Sequence, residues 1–189
     1  MSFSHCPAFY RPLILVVVLA CLSAPVMAQQ EFQLFLGAYD PGSEITGTNF
    51  DNGALLGFRY GGSFLKFFGT EFSYTFIKDL EDKQRAFDGN AHVLDTNFLV
   101  QIPVSKIVPF ATVGIGSIIG KTDSILRLRR TFAWNVGGGL KVRKIAGPVG
   151  FRVDVRYYNV PDGVEFLITN PRKIDFTFAE VSGGLLFTF

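Results

Sequence analysis

From residue 29 to residue 189, bulky apolar residues alternate with small or polar ones, and no other feature constrains the fold as tightly. A period of two gives a β-strand one apolar and one polar face. The pattern is clearest where Val149, Phe151, Val153, Val155 and Tyr157 alternate with Gly150, Arg152, Asp154, Arg156 and Tyr158. One face of that segment is wholly apolar, and the other carries three charges within five residues. After Gln29 no uncharged stretch is long enough for a membrane helix. The longest, Ile107 to Gly120, has 14 residues and holds Pro109 and three glycines, whereas a spanning helix needs about 18 or more.

Seven other segments obey the same rule. Their apolar faces are Phe32, Leu34, Leu36 and Ala38; Ala54, Leu56, Phe58 and Tyr60; Phe68, Thr70, Phe72, Tyr74 and Phe76; Thr96, Phe98, Val100 and Ile102; Ala111, Val113 and Ile115; Phe132, Trp134, Val136, Gly138, Leu140 and Val142; and Val181, Leu185, Phe187 and Phe189. Eight strands close into a barrel whose interior just fits side chains. Aromatics from every strand would overfill it, whereas the Gly, Ser, Thr and charged residues opposite them would not. The expected arrangement is therefore all-β: an eight-stranded antiparallel up-and-down transmembrane β-barrel, aromatics towards lipid and polar residues towards the lumen. A soluble barrel with the faces reversed is the alternative. Phe32, Tyr60, Phe76, Trp134 and Tyr157 stand where interfacial anchors belong.

The linkers support a membrane barrel. Gly61 to Lys66, Val104 to Ile107 and Lys144 to Gly147 are short, while Asp40 to Asp51, Lys78 to Asn90, Thr122 to Arg130 and Pro161 to Arg172 are longer. Short periplasmic turns and long outer loops alternate in this way in outer-membrane barrels.

Residues 1–28 have the form of a cleaved secretory signal, leaving a barrel domain over 29–189. Arg11 precedes the apolar core Leu13 to Leu22, and Val26-Met27-Ala28 suits a peptidase. A membrane anchor and a lipoprotein box at Cys21 are the alternatives. Cys6 and Cys21 are the chain's two cysteines, so the remainder has no disulfide or thiolate metal site. No cofactor or metal ligand set is expected. The net charge of +2 comes without a basic stripe, which argues against nucleic acid.

The inward set is Arg59, Glu71, Asp95, Lys141, Arg143, Arg152, Asp154, Arg156 and Glu180. Charges enclosed in a barrel must be paired or hydrated, so these residues are expected to form a structural network that largely fills the lumen. A narrow ion path is the alternative. Leu126-Arg127-Leu128-Arg129-Arg130 is a basic cluster at the end of the third long loop, where it could meet lipopolysaccharide phosphates. Glycine runs such as Gly137-Gly138-Gly139 lie inside strands and open no helix, so they are not phosphate loops.

At the C-terminus, Ser182, Gly184, Leu185, Phe187 and Phe189 alternate up to the last residue. This segment looks like the terminal signal read by the outer-membrane barrel assembly machinery. Leu99-Val100-Gln101-Ile102-Pro103, Val108 to Gly116, Asn135 to Lys141 and Arg152 to Tyr158 are similar to strands of the outer-membrane β-barrel domain family, the OmpA/OmpX-like small barrels. The resemblance covers nearly all of Glu31 to Phe189 and includes no peptidoglycan-binding domain.

That resemblance implies a bacterial outer-membrane protein in contact with membrane lipid and lipopolysaccharide, with an outer-loop partner left open. It does not imply catalysis, and no catalytic residues are assigned. Some barrels of this kind modify lipid A, which makes a lipid A-modifying enzyme the alternative. Such a deacylase needs a Ser nucleophile beside a His base. His92 is the one histidine after residue 28, and no serine stands two residues from it on its own face.

Overall fold

The computed structural model describes residues 29–41, 52–64, 66–78, 89–122, 126–127, 131–166 and 173–189. The signal reading and Leu128 to Arg130 of the basic cluster lie outside them. The strands are β1 (Gln29–Asp40), β2 (Gly53–Phe64), β3 (Phe68–Ile77), β4 (Gly89–Gln101), β5 (Ile107–Thr122), β6 (Leu126–Arg127), β7 (Thr131–Ala146), β8 (Val149–Phe166) and β9 (Lys173–Thr188). All pairings are antiparallel. β1 pairs with both β2 and β9, and β9 with β8, so eight strands close into a barrel. Closure leaves no long unpaired edge, the condition for crossing a bilayer with strands. Among the described residues, no helix is long and apolar enough to cross a membrane.

Several strands run further than alternation alone indicates. Pro161 to Phe166 belongs to β8 rather than to a loop, and Leu126–Arg127 forms a two-residue strand on it, Leu126 opposite Phe166. The β8–β9 register shifts between Val160 and Val164. Pro161, which has no N–H to give to a ladder, sits in that irregularity. At the other end, β2 continues to Phe64, so the turn is moved towards Lys66 and Phe67. β4 begins at Gly89, well before the alternation becomes clear.

The faces sort by chemistry. Leu36, Ile115, Val155 and Leu185 are more than half exposed on the outside, as are many other large apolar residues. On this wall Phe58 packs against Phe32, Phe72 and Tyr74, and Phe64, Phe68 and Phe98 form a second ring cluster. Tyr60 and Trp134 lie exposed towards opposite ends of the wall. Such a surface is stable in hydrocarbon and would drive aggregation in water.

The interior is not polar throughout. Phe35, Tyr39, Leu55, Ile77, Ala91, Val93, Ile118, Ala133, Tyr158, Val160 and Phe178 form one buried apolar cluster. Most of it lies near the long-loop end, where the Tyr158 and Phe178 rings stack at 4.6 Å. These few inward aromatics are accommodated by the glycines beside them. A Cβ on Gly57 would come within 2.6 Å of the Phe35 ring, and one on Gly53 within 2.2 Å of the Tyr39 ring. Removing those side chains opens the space the rings occupy.

Candidate functional site

Below the apolar layer lies a cluster of buried ions. Arg59 comes from β2, Glu71 from β3, Asp95 from β4, Arg152, Asp154 and Arg156 from β8, and Glu180 from β9; each is at most 5% exposed. Arg59 pairs with Glu180, with Asp154 at 3.3 Å and with Glu71 at 3.8 Å. Arg152 pairs with Glu71 and with Asp154 at 2.8 Å. Arg156 reaches Glu71 at 2.6 Å, Asp154 at 3.3 Å and Asp95 at 3.5 Å. Three guanidinium groups thus lie among four carboxylates, and each arginine touches at least two. The planar, forked guanidinium suits such shared contacts better than a lysine ammonium does.

Neutral groups tie this cluster to the wall. The Gln33 carbonyl oxygen accepts from Arg59 at 3.2 Å, and Ser182 donates to Glu180 at 2.8 Å. Tyr158 donates its hydroxyl to Asp95 at 3.3 Å, linking the ion cluster to the apolar layer. The Arg59 guanidinium lies 3.8 Å from the Phe35 ring centroid, and that of Arg152 lies 4.4 Å from the Phe110 centroid. Stacked aromatic faces offset part of the cost of removing a cation from water.

A second, smaller tier lies towards the short turns. Lys141 donates to Glu31 at 2.6 Å, and Arg143 Nε donates to the same carboxylate at 2.5 Å. Gln101 accepts from Arg143 at 3.1 Å and donates to Ser63 at 2.7 Å. Between the tiers lies a cavity of about 10 Å³, lined by Glu31, Ser63, Glu71, Gln101 and Lys141 among others. That is room for about one water.

All nine inward charges named from the sequence fall inside the barrel, seven in the central cluster and Lys141 and Arg143 in the smaller tier. Glu31 is the residue that sequence reasoning missed. Its signal was present, because it stands beside Phe32 on the face it shares with Gln33. Counting it gives five buried cations and five buried carboxylates in the lumen among the described residues. Among the described residues, no group of His, Cys, Asp and Glu could hold a metal ion.

The C-terminal residues divide between the two faces. Ser182 and Gly184 point inwards, where a Cβ on Gly184 would meet the Leu34 carbonyl at 1.9 Å. Leu185, Phe187 and Phe189 are on the outside, and the Phe189 amide closes onto the Gln30 carbonyl at 3.0 Å. His92 also faces outwards, with its Nδ1 2.9 Å from the Tyr74 hydroxyl and its ring against Phe76. Ser117, one diagonal step away across the β4–β5 ladder, makes no hydrogen bond to it.

The outer membrane protein beta-barrel domain model matches residues 14–187. The chain belongs to this family. Members of the family are bacterial outer-membrane proteins, so the exposed apolar wall of this barrel lies among outer-membrane lipid and lipopolysaccharide. Solved structures of outer-membrane proteins share its fold. Neisserial surface protein A superposes with a TM-score of 0.66 at 13% identity, covering 85% of this chain and 97% of its own. For the outer membrane protein OprG from Pseudomonas aeruginosa the TM-score is 0.58 at 13% identity, with 86% and 96% covered. For the outer membrane enzyme PagL it is 0.50 at 15% identity, with 83% and 98% covered. At such identities the likeness shows the fold alone. Comparison with curated proteins gave no match.

Proposed function

We propose that this outer-membrane barrel is non-catalytic, with a structural and surface-interaction role carried by its outer loops on a largely filled, charged lumen. One observation carries the reading: the lumen is obstructed at two levels. The apolar layer around Phe35, Tyr158 and Phe178 lies towards the loops, and the ion cluster around Arg59, Arg152 and Arg156 lies beneath it. The cavity of about 10 Å³ between the two charged tiers has room for about one water, less than a hydrated ion needs. An ion path would need several buried pairs to open together, and each such pair costs several kcal/mol to break.

Planar-bilayer recording on the purified protein tests this reading. It should give no sustained conductance steps, and a stable open level would establish the narrow pore instead. The lipid A-modifying alternative draws on the shared fold with PagL and on the outward His92. Against it stands the pairing of His92 with Tyr74 rather than with a serine. Mass spectrometry of lipid A from cells with and without the protein separates the two, and a change abolished by His92→Ala would establish the enzyme. We further infer a cleaved signal over residues 1–28. Assembly through the last strand, at Ser182, Gly184, Leu185, Phe187 and Phe189, belongs to the same reading.

A further inference from the structure

The short-turn end of the barrel carries more cations than the lumen network uses. Residues 60–70, 96–120, 138–151 and 181–189 contain no Asp or Glu, yet they hold Lys66, Lys106, Lys141, Arg143 and Lys144. At this end Glu31 opposes them, and it is already bound by Lys141 and Arg143. Lys66, Lys106 and Lys144 are exposed, one in or beside each of the three short turns. These turns face the periplasm in an outer-membrane barrel, so that mouth has a surplus of positive charge.

The mouth is also concave. A cavity of about 190 Å³ opens there, lined by Gln29, Ser63, Lys66, Gln101, Pro103 and Arg143. Arg143 is only 7% exposed. Its Nε is held by Glu31 and its Nη2 by Gln101 and Ser63, so the guanidinium is fixed in orientation before any ligand arrives. Nη1 takes no part in those bonds. A fixed guanidinium with Nη1 to spare, in a cavity that Lys66 also lines, suits a tetrahedral oxyanion, because Nη1 and an ammonium can each meet a separate phosphate oxygen.

A separate observation comes from the backbone. Lys66 has φ of 63° and Lys144 has φ of 53°. Glycine or asparagine normally occupies this left-handed region, because a Cβ is crowded there. Lysine offers a turn no conformational advantage. Ser105 in the remaining short turn has φ of 59°, so a left-handed residue is common to the three turns, and in two of them it is a lysine that stands on the cationic rim.

We propose that the periplasmic mouth of the barrel binds a phosphate-bearing anion, held by Arg143 and Lys66 and attracted by Lys106 and Lys144. The site takes soluble phosphate compounds or the anionic headgroups of the inner-leaflet lipid, since both present the same oxyanion. It lies below the ion cluster and does not require the lumen to conduct.

The test uses the full chain folded in an uncharged detergent, with inorganic phosphate titrated and followed by ³¹P line broadening. Wild-type protein should broaden the signal saturably. Lys66→Gln should weaken binding at least threefold, and Lys66→Glu and Arg143→Gln at least tenfold. Heat-modifiable gel mobility shows that each variant is folded. If Arg143→Gln does not fold, Lys66→Glu, on the exposed rim, decides alone. Nanodiscs with and without phosphatidylglycerol distinguish the sources. Competition that depends on Lys66 assigns the site to headgroups, and its absence assigns it to soluble anions. Absence of saturable binding to the wild type, or binding equal in Lys66→Glu and wild type, would overturn the proposal.

Discussion

Replacing Glu31 by glutamine tests whether the smaller ion tier is held by charge balance or merely by packing. Glutamine keeps the shape and one acceptor, but it leaves Lys141 and Arg143 facing each other without their shared carboxylate. The two contacts are 2.6 and 2.5 Å between nitrogen and oxygen. With charge centres roughly 4 Å apart and an effective dielectric constant of about 20, each attraction is worth about 4 kcal/mol. Losing both removes about 8 kcal/mol of attraction. The variant also no longer needs to desolvate a carboxylate, which returns several kcal/mol. The net expectation is a destabilisation of about 3 kcal/mol, within the range seen when one member of a buried ionic group is removed. Adding Lys141→Met should make the protein more stable than Glu31→Gln alone, by at least about 1 kcal/mol, because one of the two stranded cations is gone. Urea unfolding in short-chain phosphatidylcholine vesicles measures both. Trp134, the single tryptophan, is lipid-facing and reports the transition. A Glu31→Gln variant within 0.5 kcal/mol of wild type, or a double variant less stable than the single one, would refute the charge-balance argument.

Other expectations rest on separate parts of the fold. Phe178→Ala removes a ring that is 1% exposed and stacked on Tyr158, and should cost about 3–5 kcal/mol in the same unfolding assay. Lys66→Gly relieves a left-handed lysine, so it should raise the unfolding midpoint, with a gain of up to about 1 kcal/mol. The same change should weaken phosphate binding, a stability gain set against a loss of affinity. Phe189→Ala alters a side chain that is 73% exposed on the outer face. Its stability in vesicles should stay within about 0.5 kcal/mol of wild type, while the amount recovered in outer-membrane fractions falls. An unchanged cellular level would remove Phe189 from the assembly signal.

What the sequence could specify by itself was local. Alternation belongs to one strand at a time, and hydrophobicity decides which of its two faces meets lipid. Hence Phe32, Phe72 and Val155 could be assigned outwards, and Arg59, Glu71 and Arg156 inwards, before any pairing was known. Where alternation weakened, the local signal failed: Gly89 and Asn90 are strand residues rather than loop, and Pro161 lies within β8. Depth along the barrel axis and partnership across the lumen belong to the closed structure. Arg59 and Glu180 meet across 121 residues of sequence, and Arg143 and Glu31 across 112. Such pairs exist only once the stagger of every hairpin has accumulated and β9 has paired with β1. The same accumulated register separates the apolar layer around Phe178 from the ion cluster around Glu71, although both lie on one inward face. Tertiary structure therefore decided which inward residues form an apolar layer, which form ion pairs and which leave a cationic mouth. A period of two records the face of a strand but carries no information about its height or its neighbours.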